Sequence, residues 1–149
     1  MKKQIINPKE GEVDATTGPN WAEHKTAYSR GVIVHGPGYK QLFLTGLCSE
    51  EETLEDQTRD ILSQIEEEIE DLGGGMEDVV RVRVYMSRPT MDEDTLELVH
   101  NIRSEYFVDG HLPASTLIEV EDLVRDRYLI EIDADVIIPE DGWEVEHLD

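Results

Sequence analysis

His111–Pro139 reads HLPASTLIEVEDLVRDRYLIEIDADVIIP: two β-branched runs joined by a short charged loop, with Pro113 near the start and Pro139 at the end. Alternation puts Thr116, Ile118 and Val120 on one face of the first run, and Tyr128, Ile130, Ile132, Ala134, Val136 and Ile138 on one face of the second. The spacing predicts two half-buried strands, with Arg125 and Arg127 in a hairpin loop between them. The other face of the second run carries Glu131, Asp133 and Asp135. If that face lines a cleft it supplies carboxylates, and if it faces water it is only solvated.

Upstream of this segment, Val79–Met86 alternates in the same way, with Val80, Val82, Val84 and Met86 pointing one way and Arg81, Arg83 and Tyr85 the other. Between the two lies a helix expected from about Asp92 to Phe107, with Leu96, Val99, Ile102 and Tyr106 on one stripe. A longer helix is expected over Leu54–Leu72, N-capped by Thr53 and closed by Gly73, Gly74 and Gly75. The triple glycine follows a helix instead of preceding one, so it reads as a stop and not as a phosphate-cradling loop. Ala27–Val34 and Tyr39–Thr45 read as a β-hairpin turning at His35–Gly38, and Gly46 follows where a missing side chain permits close approach. Met1–Thr26 reads as a loop or edge segment closed by Trp21, and Glu140–Asp149 as a mobile charged tail on which Trp143 can dock.

The order β-β-α-β-α-β-β predicts an α+β fold, a two-layer sandwich with both helices on one side of the sheet. Tyr28 or Ser29, Tyr85 and Leu117 would then stand on the uncovered face, which is apolar enough to pack against further copies of the chain. At 149 residues the chain is expected to form a single domain, 1–149, with its core over about 27–139.

Asp and Glu number 35 against 13 Lys and Arg, a formal charge of −22. With 38% hydrophobic residues in patterned blocks, this describes a folded chain with an acidic skin. At molar salt the Debye length falls to about 3 Å and the self-repulsion is screened, so a salt-adapted, halophilic cytoplasm is the expected setting. The scattered cations form no basic stripe, which argues against nucleic acid as a partner. Gln4–Pro8 contains no apolar core for a secretion signal and no long apolar span follows, so no membrane partner is expected. Cys48 is the single cysteine, read as a small buried residue. His24, His35, His100, His111 and His147 have no zinc-site spacing, so neither a metal nor a cofactor is expected. Ser115 has no nucleophile elbow around it, and with Ser29 it reads as polar cleft lining.

The segments AYSRGV, LFLTG, GGGMEDVVRVRVYM, VHNIRSEYF, LPASTLIEV and LIEIDADVI together resemble the RidA (YjgF) family of small enamine and imine deaminases, over roughly Ala27–Pro139. The resemblance implies a chorismate-mutase-like (RidA-like) fold, a homotrimer closing a barrel, and small-molecule clefts between subunits. It carries over Tyr28, Gly46 and Glu131, the glutamate matching the one thought to position the attacking water in the deaminases. It breaks at Ser115, where the deaminase branch has an arginine that binds the substrate carboxylate. His100 stands where an asparagine is common, and Leu117 where a cysteine is frequent. Exchanging a bidentate guanidinium for a neutral hydroxyl costs on the order of 1.5–3 kcal/mol of carboxylate binding, which argues against the standard 2-imino acid substrate. Arg30, two residues past Tyr28 on an expected strand, is the candidate replacement cation. Two functions follow from this reading. One is a small-molecule hydrolase for imines, enamines or related C–N substrates, with Glu131 catalytic and Tyr28, Arg30, Gly46, His100, Ser115 and Leu117 lining the site. The other is a non-catalytic trimeric metabolite-binding protein of the same fold.

Overall fold

The computed structural model describes residues 1–9 and 27–149. The expected loop between them, with Trp21 and His24, lies outside the described residues. Six strands form one sheet in the order β1-β2-β3-β6-β4-β5: β1 (Lys2–Ile6), β2 (Gly31–Gly36), β3 (Tyr39–Leu47), β4 (Val79–Ser87), β5 (Ala114–Val120) and β6 (Ile130–Pro139). Helices α1 (Leu54–Asp71) and α2 (Glu93–Tyr106) complete the α+β fold. Among the strands and α-helices the sequence reading names all but β1, whose stretch it gives only as a loop or edge segment. That strand, KKQII, is too short and too polar to show an alternation, and it pairs along the edge of β2.

The expected hairpin of the last two strands does not form. β5 pairs parallel with β4, β6 pairs antiparallel with both β4 and β3, and β4 therefore separates β5 from β6. Burial explains the choice. β6 buries Ile130, Ile132, Ala134, Val136 and Ile138 on one face, so it takes a central place with both edges bonded. β5 has no fully buried residue and takes the sheet edge. The α2 crossover delivers β5 parallel to β4, as a strand-helix-strand unit requires.

Thr53 caps α1 by accepting from the Asp56 amide at 3.1 Å. Gly73, at φ +85°, ends the helix in the left-handed region, and Lys40 Nζ donates to the orphan Leu72 carbonyl at 3.0 Å. Asp92 and Thr95 form a reciprocal capping box at the start of α2. The apolar stripe of α1, Ile61, Leu62, Ile65 and Ile69, is wholly buried against the β6 row, each such side chain contributing about 1.5–3 kcal/mol. Both helices serve this one face of the sheet. The other face stays open, presenting Ile5, Phe43, Tyr85 and Ile118 among charged residues.

Candidate active site

Glu131 lies on the open face, and local backbone geometry in β3 prepares its place. The pairing of β3 with β6 shifts register between Leu44 and Leu47, both of which point into the core. The irregularity turns Gly46 outward beneath the glutamate. A Cβ on Gly46 would stand 2.6 Å from Glu131 Oε2, so only glycine lets the carboxylate lie down on the strand. Two residues on, the Cys48 thiol donates to Glu131 Oε1 at 3.2 Å. Burial, reinforced by the charge of Glu131, pushes the Cys48 pKa far up, which keeps the thiol protonated and donating. Among the described residues, no lysine or arginine forms an ion pair with Glu131.

The neighbouring acids are compensated differently. Arg83 bridges Asp133 at 2.7 Å and Asp135 at 3.1 Å, and the Tyr85 hydroxyl, across the pairing from Glu131, donates to Asp133 at 3.3 Å. Burial first, and then Asp133, raise the Tyr85 pKa. Beyond Cys48, Arg127 and Tyr128 close on Glu50. Arg127 Nε donates to it at 2.7 Å and the Tyr128 hydroxyl at 2.6 Å, with the guanidinium 4.8 Å over the tyrosine ring. The Arg127 hydrogen bond, then that from Tyr128, lowers the Glu50 pKa, while burial and the Glu50 contact push Tyr128 up to about 12. Arg127 is therefore committed to Glu50.

The fold seats Glu131 on Gly46, whereas Arg30, Ser115 and Leu117 point to the helix side of the sheet. Tyr28 is half-buried in the irregular segment that leads into β2. Arg30 is fully buried, with its Nε on Glu68 at 2.6 Å and its Nη2 on Gln64 at 3.1 Å, both on α1. The expected cleft position of Arg30 is not observed, because its side chain turns to the helix side and is held there by α1. Ser115 and Leu117 pair opposite Val82 and Val84, whose side chains enter the core. They therefore face the helices, and Leu117 packs against the core instead of standing on the open face, where Ile118 takes its place. His100 is exposed on α2.

Two contributors escaped the sequence reading. Cys48 follows Gly46 by two residues, the spacing that puts side chains on one face. Arg103 of α2 donates from Nη2 to Ser115 Oγ at 2.6 Å. It falls seven residues after Leu96 and four after Val99, a cation on the apolar stripe of its own helix, and that interruption was its signal.

Two clusters of residues result, Glu131–Gly46–Cys48 on the open face and Ser115–Arg103, near Leu117, on the helix side at the edge strand. The groove of about 500 Å³ formed near Glu77, His111, Leu112, Trp143 and His147 contains neither. Trp143 is docked there, its indole donating to Asp78 at 2.7 Å. Among the described residues, no three His, Cys, Asp or Glu side chains converge as a metal site, and no helix is long and apolar enough to cross a membrane.

Residues 22–138 match the family described as Endoribonuclease L-PSP. A RutC family protein of Pyrococcus horikoshii is 35% identical over 81 residues, which span 54% of this chain and 60% of that protein, less than two thirds of its length. A crystal structure of a YjgF/YER057c/UK114 family member from Mycobacterium tuberculosis covers 92% of this chain and 100% of its own, with TM-score 0.70 and 26% identity. A YjgF family protein of Neisseria meningitidis shares the fold at TM-score 0.68 and 21% identity, covering 93% of this chain and 96% of its own. With the match running over most of its length and the fold in agreement, the chain belongs to the Endoribonuclease L-PSP family, the RidA (YjgF) group of proteins.

Proposed function

We propose that this protein hydrolyses small, reactive imines or enamines, with Glu131 as the group that positions and deprotonates water. The observation that carries the reading is the placement of Glu131: a carboxylate on an uncovered sheet face, laid on Gly46 and held by a neutral thiol, with no lysine or arginine among the described residues in an ion pair with it. Hydrolysis of C=N needs an acceptor for a water proton beside the electrophilic carbon. Water adds to that carbon as Glu131 takes its proton. Glu131 then hands that proton to the carbinolamine nitrogen, the C–N bond breaks as the carbinolamine hydroxyl gives its own proton to Glu131, and ammonia leaves a carbonyl product. A formal charge of −22 disfavours a polyanionic substrate, so we do not extend the ribonuclease of the family description to this chain.

A site that uses both clusters requires two copies of the chain, because one cluster faces away from the helices and the other faces them. The exposed Phe43, Ile118 and Ile5 of the open face are consistent with burial in such an assembly, for which we infer the family's homotrimer. The test is release of ammonia from 2-aminoacrylate generated in situ by a salt-tolerant dehydratase, above the spontaneous rate. Wild type is expected to accelerate it, and Glu131→Gln to lose about 10²–10⁴-fold of that acceleration. A Glu131→Gln protein as active as wild type would refute the role. A wild type that binds but never turns over would favour a metabolite-binding protein.

A further inference from the structure

The groove of about 500 Å³ lies at the far end of the sheet from Glu131. Tyr85, which pairs with Glu131, follows Val80 of the groove by five residues of β4, about 16 Å of strand. β4 contributes Val79 and Val80, the turn into β5 contributes Leu112, and the C-terminal segment contributes Trp143, Val145 and His147. Those last three alternate, as in an extended segment with one face turned inward, and Glu144 and Glu146 between them do not line the groove. The segment is docked and still leaves the space open. The Trp143 indole donates to the buried Asp78 at 2.7 Å, and Asp78 also accepts from the Gly75 amide at 2.9 Å, which fixes that side of the groove. What remains has the size of a small-molecule site. Two carboxylates border it. Glu77 lies back across Gly75, where a Cβ would collide with its carboxylate, and Asp109 stands in the turn before β5. Among the described residues, neither forms an ion pair with a lysine or arginine.

We propose that this groove binds a small organic amine as its ammonium ion, with Glu77 and Asp109 accepting from the charged nitrogen and Val79, Val80, Leu112 and Trp143 covering the apolar body. The sign of the ligand follows from charge. Two acids without a partner cation, in a chain of formal charge −22, repel an anion and concentrate a cation. The body follows from the lining, because an inorganic cation would leave the apolar side chains unused, whereas an amine with an aliphatic or aromatic body buries them. An indole adds attraction for an ammonium at its face. His111 and His147 are acceptors when neutral and oppose a cation when protonated, so binding is strongest above the ordinary histidine range. The site is separate from Glu131 and does not rest on the hydrolase reading.

Calorimetric titration of the full chain tests it, at pH 8 and the lowest salt that keeps the protein folded. The probes are phenethylamine, the neutral phenethyl alcohol, the anionic hydrocinnamate and ammonium chloride. Wild type should bind phenethylamine more tightly than the other three. Glu77→Gln combined with Asp109→Asn should weaken that binding roughly fivefold to thirtyfold, as two exposed ion pairs do, and leave phenethyl alcohol unchanged. Leu112 is 68% exposed, so Leu112→Arg keeps the fold while setting a cation in the groove, and it should abolish phenethylamine binding. Glu131→Gln should not alter it. No binding of phenethylamine, or equal binding of the alcohol or of hydrocinnamate, would overturn the proposal. Equal binding of ammonium would reduce the site to accumulated counterions. Wild-type affinity in Leu112→Arg, or a loss in Glu131→Gln, would place the amine elsewhere on the molecule and overturn it as well.

Discussion

Glu68 and Glu131 are both glutamates removed in part from water, one on each side of the same sheet, and they are treated in opposite ways. Glu68 meets the buried Arg30 at 2.6 Å, with Lys9 Nζ at 3.7 Å. Glu131 meets a thiol and a glycine. A carboxylate whose charge is matched by a guanidinium is committed to the fold. One held by a neutral donor keeps a free acceptor at the cost of a less complete compensation. On the proposed function the first acid is structural and the second is left for chemistry, and substitution separates the two.

The largest expected effect lies on the structural side. Arg30→Ala strands Glu68 without its buried guanidinium and should lower unfolding free energy by about 3–5 kcal/mol, measured as the urea midpoint. Replacing the pair together, Arg30→Met with Glu68→Leu, should recover most of that loss, because an apolar pair has no charge to desolvate. If Arg30→Ala unfolds at the wild-type midpoint, the pair is not a structural commitment and the contrast collapses.

Gly46→Ala probes the other side and should reverse the pattern. The added methyl meets the far end of the Glu131 side chain, which can swing away, so the melting temperature should move by only a few degrees, equivalent to about 1 kcal/mol or less. The swing carries the carboxylate off its seat, and ammonia release should fall at least roughly tenfold, as misplacing a catalytic group by an ångström does. A variant that loses stability and activity in proportion would show that Gly46 serves packing alone.

Much of this was legible in the chain. The β6 alternation announced one apolar and one acidic face, and Gly46 was marked by its place after a strand. Pairing order was not legible, because alternation reports which face is buried and says nothing about which edge is bonded, so β5 and β6 read as a hairpin although β4 lies between them. Nor did alternation show that the Arg30 side chain lies against α1, because its partners Glu68 and Gln64 are on a distant element. Ser115 looked like a lost cation because its partner lies on another element. Arg103 is 12 residues away in sequence and joins Ser115 only after the crossover folds back.

The smallest effect concerns the thiol that holds Glu131. A free cysteine titrates near pH 8.5, and its thiolate is the reactive form. Cys48 is raised well above that, first by burial and next by the Glu131 charge, so between about pH 8 and 9 it should react with iodoacetamide far more slowly than in the unfolded chain. The linkage sign follows. The unfolded state loses this proton first, so the stability that the protonated thiol contributes is complete below about pH 8.5 and declines as pH rises above it. Glu131→Gln removes the second cause and leaves the first, so alkylation should quicken without reaching the unfolded rate. An unchanged rate in Glu131→Gln would mean that burial alone protects the thiol. Cys48 would then be a neighbour of the candidate base and not its holder, and the difference between Glu131 and Glu68 would rest on Gly46.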